Sequence, residues 1–334
     1  MPVAESARVP IDYTPTAPVL AFRFVGWAIV GTLFAYLSNI YLDFWHKWPG
    51  ASAAFGPQAS ATAWLGVGIY ALGIAAPAAF VIRTKYRTLR QDDEAITALA
   101  AYIARFAFWM VFLIGIADSV ISFLRVEGLL DHIIGADLTT QLGRSLFRGP
   151  YVHFPLAVVA LGLAAVTRTL GFIWLALLVV VAELQIVVSR FVFSYEQAFM
   201  GDLVRFWYGG LFLFSSAYTL VEEGHVRVDV LYSAFSDRTK GLVNAVGSVV
   251  LGLPLCWVIL VVGMGQSTAI IASPILRLEV SQSGFGMYVK YLLASYLLIY
   301  AGTMMIQFAA YLLQGVADFR GDPSKRQIAG DIAH

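Results

Sequence analysis

The sequence predicts an all-α polytopic membrane protein with about eight transmembrane helices. Of its 334 residues, 59% are hydrophobic and 13% are charged, and the mean hydropathy is +0.76. A soluble domain would carry about 25% charged residues. Several apolar runs also reach the roughly 20 residues that a bilayer crossing needs. These runs are continuous, which disfavours an outer-membrane barrel of short alternating strands.

Four spans are predicted before residue 168, at about 18–42, 60–82, 98–124 and 151–167. The first is followed by aromatic residues, which favour the membrane interface. The second is rich in glycine and alanine, and small residues allow helices to approach closely. The partner of this second helix, within the chain or in another protein, stays open. A polar segment, residues 125–150, forms the longest predicted loop.

Four more spans are predicted after a break at Arg168-Thr169, at about 170–192, 204–221, 241–267 and 287–315. Without the break, the fourth and fifth spans would join into a run of over 40 residues, which is too long for one crossing. A hairpin is therefore expected there. Pro254 lies inside the seventh span and is expected to kink it.

The segment YEQAFMGDLVRF, residues 195–206, precedes the sixth span. Its apolar residues Phe199, Leu203 and Phe206 recur at helical spacing, which predicts a short helix lying in the membrane interface. The segment equally fits the first turns of the sixth span, so both alternatives stay open.

The basic residues predict that both termini are cytoplasmic. With that orientation, twelve lysines and arginines of the connecting segments lie inside and eight lie outside. The densest cluster, Arg83, Lys85, Arg87 and Arg90, lies inside, as the positive-inside rule expects. The charged stretch EEGHVRVDVLY, residues 222–232, is then cytoplasmic.

Composition also narrows the function. The net charge is +1, so no basic face for nucleic acid is expected. The single cysteine, Cys256, lies in an apolar run and has no disulfide or metal partner at usable spacing. The N-terminal tail, residues 1–17, lacks the basic start of a signal peptide and is interpreted as uncleaved and disordered.

No enzyme is predicted. The five histidines do not pair in a way that would ligate haem, and those near span ends, including His153, are expected to be interfacial. The sequence contains no phosphate-binding glycine loop, no HExxH and no GxSxG. We therefore expect no catalytic, cofactor-binding or metal-binding residues in this chain.

Two charges inside predicted spans are candidate functional residues, because charge is costly in lipid. Glu183 lies in the middle of the fifth span, and Arg105 lies about a quarter of the way into the third. They would serve either a proton or ion relay or a polar contact, between helices or with a partner subunit. The contact is favoured, and the two residues are candidates to pair with each other. No inverted repeat of a self-sufficient carrier is evident.

From about residue 170 to 315, the sequence resembles the small membrane subunit of tripartite ATP-independent periplasmic (TRAP) transporters, the DctQ-type small permease. Four ordered motifs carry the resemblance: SRFVF from residue 189, YEQAFMGDLVRFW from 195, GHVRVDVLYSAFSDRTKG from 224, and LEVSQS from 278 with Tyr288 and Lys290. The cytoplasmic GHVRVDVLYSAFSDRTKG segment is the most specific of them.

The resemblance implies a scaffold in the bacterial inner membrane. Such a subunit pairs with a large permease, which moves substrate by an elevator motion driven by a sodium or proton gradient. A periplasmic binding protein delivers the substrate, typically an organic acid. Membrane lipids are the remaining expected partner. No cofactor is expected in this chain, since ion coupling belongs to the large permease.

The expected domains are an N-terminal extension of about four spans at 1–168, a DctQ-like domain at 169–317 and a polar cytoplasmic tail at 318–334. The resemblance does not explain the extension, which would widen the scaffold, bind lipid or contact another protein.

The candidate anchor and partner-interface residues come from the motifs and the charged spans. In the cytoplasmic stretch, the alternating valines beside the charges favour a membrane-surface anchor over a solvated loop. The full set is His225, Arg227, Asp229, Glu279, Ser281, Lys290, Glu183 and Arg105.

Two other functions stay open. One is a stand-alone membrane carrier or channel that uses Glu183 and Arg105. The other is a membrane-anchor subunit of a redox complex, which the few histidines disfavour.

Overall fold

A computed structural model describes residues 15–57, 59–168, 172–221, 232–280 and 286–322 of the chain. Every regular element within these ranges is helical, so the predicted all-α class is confirmed. Side-chain caps fix two of the helix starts. The hydroxyl oxygen of Ser60 accepts the Ala63 amide, and that of Ser236 accepts the Thr239 amide.

The first half of the chain contains seven α-helices. They are α1 (Ala17–His46), α2 (Ala61–Arg83), α3 (Leu89–Val126), α4 (Leu130–Ile134), α5 (Ala136–Leu142), α6 (Ser145–Arg148) and α7 (Phe154–Val166). A 3₁₀ turn, Ala51–Phe55, lies between α1 and α2, and a π turn, Gly149–His153, joins α6 to α7.

The second half contains six described α-helices. They are α8 (Phe172–Phe193), α9 (Ala198–Val221), α10 (Asp237–Gly247), α11 (Leu253–Met264), α12 (Ala272–Arg277) and α13 (Lys290–Arg320). A second π turn, Ser248–Gly252, joins α10 to α11 immediately before Pro254, where the sequence predicts a kink.

Seven helical stretches among the described residues are long and apolar enough to cross a membrane. They are Ala17–His46, Ala61–Arg83, Leu89–Val126, Ser145–Val166, Ile173–Phe193, Asp237–Met264 and Lys290–Arg320. Each corresponds to a predicted span. The predicted sixth span lies in α9, which is 24 residues long but falls outside this set. Its first turns carry Asp202 and Arg205, and glycines and serines further lower its hydropathy.

Two local predictions find their place in these helices. Helix α7 ends at Val166 and α8 begins at Phe172, so the helix is interrupted near Arg168, as predicted. Residues 198–206 form the first turns of α9 rather than a separate helix. Of the two alternatives for this arm, the structure favours the continuous helix.

The chain forms two compact units. The first comprises residues 1–100, 219–261 and 304–334, and the second comprises residues 101–218 and 262–303. Each unit therefore draws on both sides of residue 168. The predicted division at 168/169 follows the family resemblance rather than packing, and it stays a prediction.

In the first unit, α1 and α2 pack with their backbones in close contact. The contact is made at Gly31 and Gly73, where a methyl group on Gly73 would lie 2.8 Å from the Gly31 carbonyl oxygen. The small residues of α2 thus serve packing inside the chain. A similar backbone contact joins Gly241 of α10 to Gly315 of α13, since a methyl group on Gly241 would lie 2.6 Å from the Gly315 carbonyl oxygen.

The second unit has a core of large apolar and aromatic side chains. Helices α3, α8, α9 and α13 supply most of it, with buried residues that include Val111, Leu175, Phe206, Phe214 and Tyr296. The Tyr296 hydroxyl donates a hydrogen bond to the Phe206 carbonyl oxygen at 3.1 Å, which satisfies the polar end of a buried aromatic residue.

The close approach of α1 and α2 predicts that Gly73→Ala destabilises the protein. The new methyl carbon would lie 2.8 Å from the Gly31 carbonyl oxygen and 2.9 Å from Cβ of Ala35, so the helices must separate. We expect the free energy of unfolding to fall by about 1–3 kcal/mol, measured by unfolding in detergent. Gly68→Ala is the matched control in the same helix, because no atom of the described residues lies within 4 Å of its new methyl group. Equal stability of the two variants would contradict the proposed packing.

Candidate functional site

Four of the eight candidate residues lie outside the described part of the chain. His225, Arg227 and Asp229 belong to the cytoplasmic stretch, and Ser281 belongs to the LEVSQS motif. Their predicted anchor role stays a prediction.

Glu279 and Lys290, two candidate residues of the fourth motif, lie close together in the structure. The Lys290 ammonium lies 2.9 Å from a Glu279 carboxylate oxygen. The Glu279 carbonyl oxygen also accepts the Tyr291 amide at 3.1 Å. The hydrogen bond from Lys290 lowers the pKa of the Glu279 carboxyl group. The two ends of the segment that precedes α13 are thus joined by charge and by backbone.

Arg105 and Glu183 have separate surroundings. The Arg105 guanidinium donates to the Ala164 carbonyl oxygen at 3.2 Å, which links α3 to the end of α7. Glu183 is exposed on α8. No ion pair joins these two residues in the described structure. The suggested Glu183–Arg105 pair therefore receives no support.

A buried polar network centred on Asp118 of α3 dominates the second unit. One Asp118 carboxylate oxygen lies 2.8 Å from Arg148 Nη1 and 2.9 Å from His153 Nε2. The other oxygen accepts the Tyr288 amide at 2.7 Å. The His153 Nδ1 atom lies 2.6 Å from the Tyr291 hydroxyl group. Asp118 and Arg148 are fully buried, and His153 is nearly so.

The guanidinium of Arg148 is held on several sides. It donates to the Leu142 carbonyl oxygen at 2.9 Å and to the Ser122 hydroxyl oxygen at 3.4 Å. The central guanidinium carbon, Cζ, lies 4.1 Å from the centre of the Tyr288 ring, which is within the range of a cation–π interaction. Among the described residues, the buried Nη2 atom of Arg148 has no hydrogen-bond partner, and the contact with the Tyr288 ring offsets part of the free-energy cost of burying that N–H group.

Several hydrogen bonds of the network are made to the segment just before α13, at Met287 and Tyr288. Besides the Tyr288 amide on Asp118, the Met287 amide donates to an Asp202 carboxylate oxygen at 3.0 Å. The Tyr288 hydroxyl donates to the Gly143 carbonyl oxygen at 2.7 Å and accepts from Arg125 at 2.9 Å. Two carboxylates therefore hold consecutive peptide N–H groups, which fixes the backbone that enters α13.

Charge balance determines the chemistry that this network allows. The Asp118 carboxylate and the Arg148 guanidinium neutralise each other, so a neutral His153 leaves the buried cluster uncharged. In that form Nε2–H donates to Asp118 and Nδ1 accepts from the Tyr291 hydroxyl. Both carboxylate oxygens are occupied by protein donors. The arrangement is suited to holding the backbone, not to binding a solute.

Sequence reasoning missed this network. His153 is buried between Asp118 and Tyr291, a bonded environment that its place near a span end does not reveal, and its expected interfacial depth stays a prediction. Asp118 inside an apolar run, with Arg148 at the start of the next span, was the available signal. The spacing could not show that the two side chains meet.

The first unit contains a second group of buried ion pairs. The Arg23 guanidinium lies 2.6 Å from the Asp92 carboxylate and donates to the Thr84 carbonyl oxygen at 2.9 Å. Arg90 lies 2.7 Å from the Asp318 carboxylate at the end of α13. The α2–α3 connection is thereby fixed to α1 and α13.

Among the described residues, no group of three or more histidine, cysteine, aspartate or glutamate side chains is arranged to hold a metal ion.

Residues 176–318 match the family model described as the DctQ component of tripartite ATP-independent periplasmic transporters. The resemblance drawn from the sequence motifs is thus confirmed over this range, and residues 1–175 lie outside the match. The matched family is a component of transporters rather than of enzymes. Neither the curated proteins nor the solved structures contain a match.

The Asp118 network predicts that Asp118→Ala destabilises the protein strongly. The change leaves the buried Arg148 without its counter-charge and the Tyr288 amide without its acceptor. Removing one partner of a buried ion pair costs about 3–5 kcal/mol, which unfolding in detergent would measure. Asp118→Asn keeps an acceptor oxygen and is expected to fall between this variant and the native protein.

Asp137→Ala serves as the control for this series, because Asp137 is an exposed carboxylate on α5. It is expected to change stability little. An Asp118→Ala variant as stable as Asp137→Ala would show that the network does not support the fold.

Proposed function

We propose that this chain, which carries the DctQ match at residues 176–318, is the small membrane subunit of a TRAP-type secondary transporter. The family match is the observation that carries the proposal. In this role the chain is a scaffold in the bacterial inner membrane, with both termini in the cytoplasm. A large permease beside it moves the substrate.

The partners follow from the family. The large permease works as an elevator coupled to a sodium or proton gradient, and a periplasmic binding protein delivers an organic acid or related solute to it. The segment before α13 lies on the periplasmic side in this topology. Its backbone is held by Asp118 and Asp202, which supports its use as a fixed surface in the assembly.

The internal contacts support a static role for the N-terminal extension. Asp118, Arg148 and His153 belong to the extension, whereas Tyr288 and Tyr291 belong to the matched range, and all five meet in one buried network. Because these hydrogen bonds hold the extension against the DctQ-type region, the extension would enlarge the static part of the subunit. We therefore favour a widened scaffold over the other roles considered for the extension.

Reconstitution would test the proposed function. Proteoliposomes with this chain alone are expected to show no solute uptake. Uptake should require a cognate large permease and binding protein, under a sodium or proton gradient. Uptake by this chain alone would overturn the proposal in favour of a stand-alone carrier. A haem or quinone spectrum in the purified chain would instead favour a redox-complex anchor.

The cytoplasmic stretch offers a second test. The triple variant His225→Ala, Arg227→Ala, Asp229→Ala is expected to insert into the membrane but to lose assembly with the large permease, because its anchoring charges are gone. Membrane fractionation would measure insertion, and copurification would measure assembly. A matched control is Asp237→Ala, which changes a charge just beyond the stretch in the first turn of α10. Normal copurification of the triple variant would remove the anchor role.

A further inference from the structure

Helix α8 is the least buried of the seven candidate spans in the described structure. Only 11% of its apolar 18-residue stretch is buried in the structure, against 17–50% of the corresponding stretches in the other six spans. The chain itself therefore covers one narrow side of α8. The rest of the helix faces lipid or another protein.

The covered side of α8 is a single stripe. Leu175 and Ala182 are buried against the core of the second unit, and Ile186 packs partly against it. On the opposite side, Val180 and Leu184 are 62% and 59% exposed. An apolar surface of this kind is compatible with either lipid or a partner helix.

The two sides of α8 that flank the buried stripe differ in charge, because one of them, the Glu183 flank, carries a carboxyl group. Glu183 is exposed, and ten residues separate it from each end of the span Ile173–Phe193. At about 1.5 Å per residue, that distance is about 15 Å in either direction, beyond the reach of lipid head groups. A carboxyl group at that depth is costly unless a polar group from protein meets it.

The other polar residue in the middle of α8 has a different environment. Gln185 lies two residues further, about 200° around the helix, on the opposite flank of the buried stripe. It borders a crevice that Ser119, Met200 and Leu203 of the same unit also line. Glu183 belongs to the flank without this crevice.

Helix α2 shows how an exposed span without a polar partner is composed. It is nearly as exposed as α8, since only 17% of its apolar 18-residue stretch is buried in the structure. Its only charged residue is Arg83, the last residue of the helix. An exposed face meant for lipid can thus be free of internal charge in this chain, and the Glu183 flank departs from that pattern.

A second copy of the chain fits this flank poorly. Two copies in one membrane have the same orientation, so symmetric contact places equal levels of α8 side by side. Residues 173–189 of α8 contain no lysine or arginine that would pair with Glu183. A symmetric contact would bring two carboxylates together without a counter-charge.

We propose that the Glu183 flank of α8 binds a transmembrane helix of the large permease, and that a cationic or hydrogen-bond-donating side chain of that helix meets the Glu183 carboxylate. The proposal rests on the proposed function, which supplies the permease. It adds the surface, the depth of the contact and the chemistry of the partner group.

Copurification of the tagged chain with its co-expressed large permease tests this contact. Glu183→Leu is expected to reduce the recovered permease about tenfold, in the range of one interhelical polar contact. Glu183→Gln keeps an acceptor oxygen and should retain more permease than Glu183→Leu. Val181→Leu, an apolar change at another exposed position of α8, is the matched control and should recover permease like the native chain. Thermal unfolding of each variant alone should match the native chain.

The outcomes separate this inference from the proposed function. If the native chain recovers permease and Glu183→Leu recovers as much, the Glu183 contact is wrong and the scaffold function stands. If Glu183→Leu alone unfolds at a lower temperature than the native chain, Glu183 supports the chain itself and the inference fails. If the native chain recovers no permease, both the proposed function and the inference fail.

Discussion

The Asp118 carboxylate accepts hydrogen bonds from a guanidinium, an imidazole and a peptide amide, and the second unit depends on this convergence. A buried carboxylate is tolerable only when its charge is matched and its oxygens are bonded. Here Arg148 supplies the charge, while His153 and the Tyr288 amide complete the bonding. Arg148 and His153 come from the helical stretch 145–166 and the amide comes from the segment before α13, so bonding Asp118 of α3 joins three segments at once.

This constraint explains how residues before and after the start of the family match, which covers residues 176–318, form one buried network. The extension is not a separate appendage in packing terms, because both compact units draw on residues before and after the start of the match. Polar side chains of α3, of α6 and of the π turn before α7 complete the surroundings of a segment that belongs to the matched region. Close glycine contacts, such as Gly31 with Gly73, supply the packing where polar groups are absent.

The sequence was sufficient to predict where the helices lie, but it was insufficient to predict which side chains meet between them. Each apolar run became a helix close to its predicted bounds, because hydrophobicity and length suffice to define a span. The Tyr288 amide and Asp118 are 170 residues apart, and no local pattern reports such a contact. His153 shows the same limit, since its place near a span end does not reveal its buried partners Asp118 and Tyr291. Glu183 lies in the middle of the helical stretch Ile173–Phe193, as the sequence indicates, but only the fold shows that its side chain is exposed.

The distances along the chain also bear on biosynthesis. Asp118 and Arg148 are 30 residues apart and enter the membrane within one helical hairpin of each other, whereas the Tyr291 partner of His153 follows 138 residues later. At roughly 5–20 residues per second, the ribosome needs about 7–28 s to deliver that partner. The Asp118–Arg148 ion pair needs no residue from that later part of the chain, so we expect the charge of Asp118 to be balanced during this interval. The order of residues along the chain thus places the counter-charge of Asp118 close behind it in synthesis, well before the segment that precedes α13.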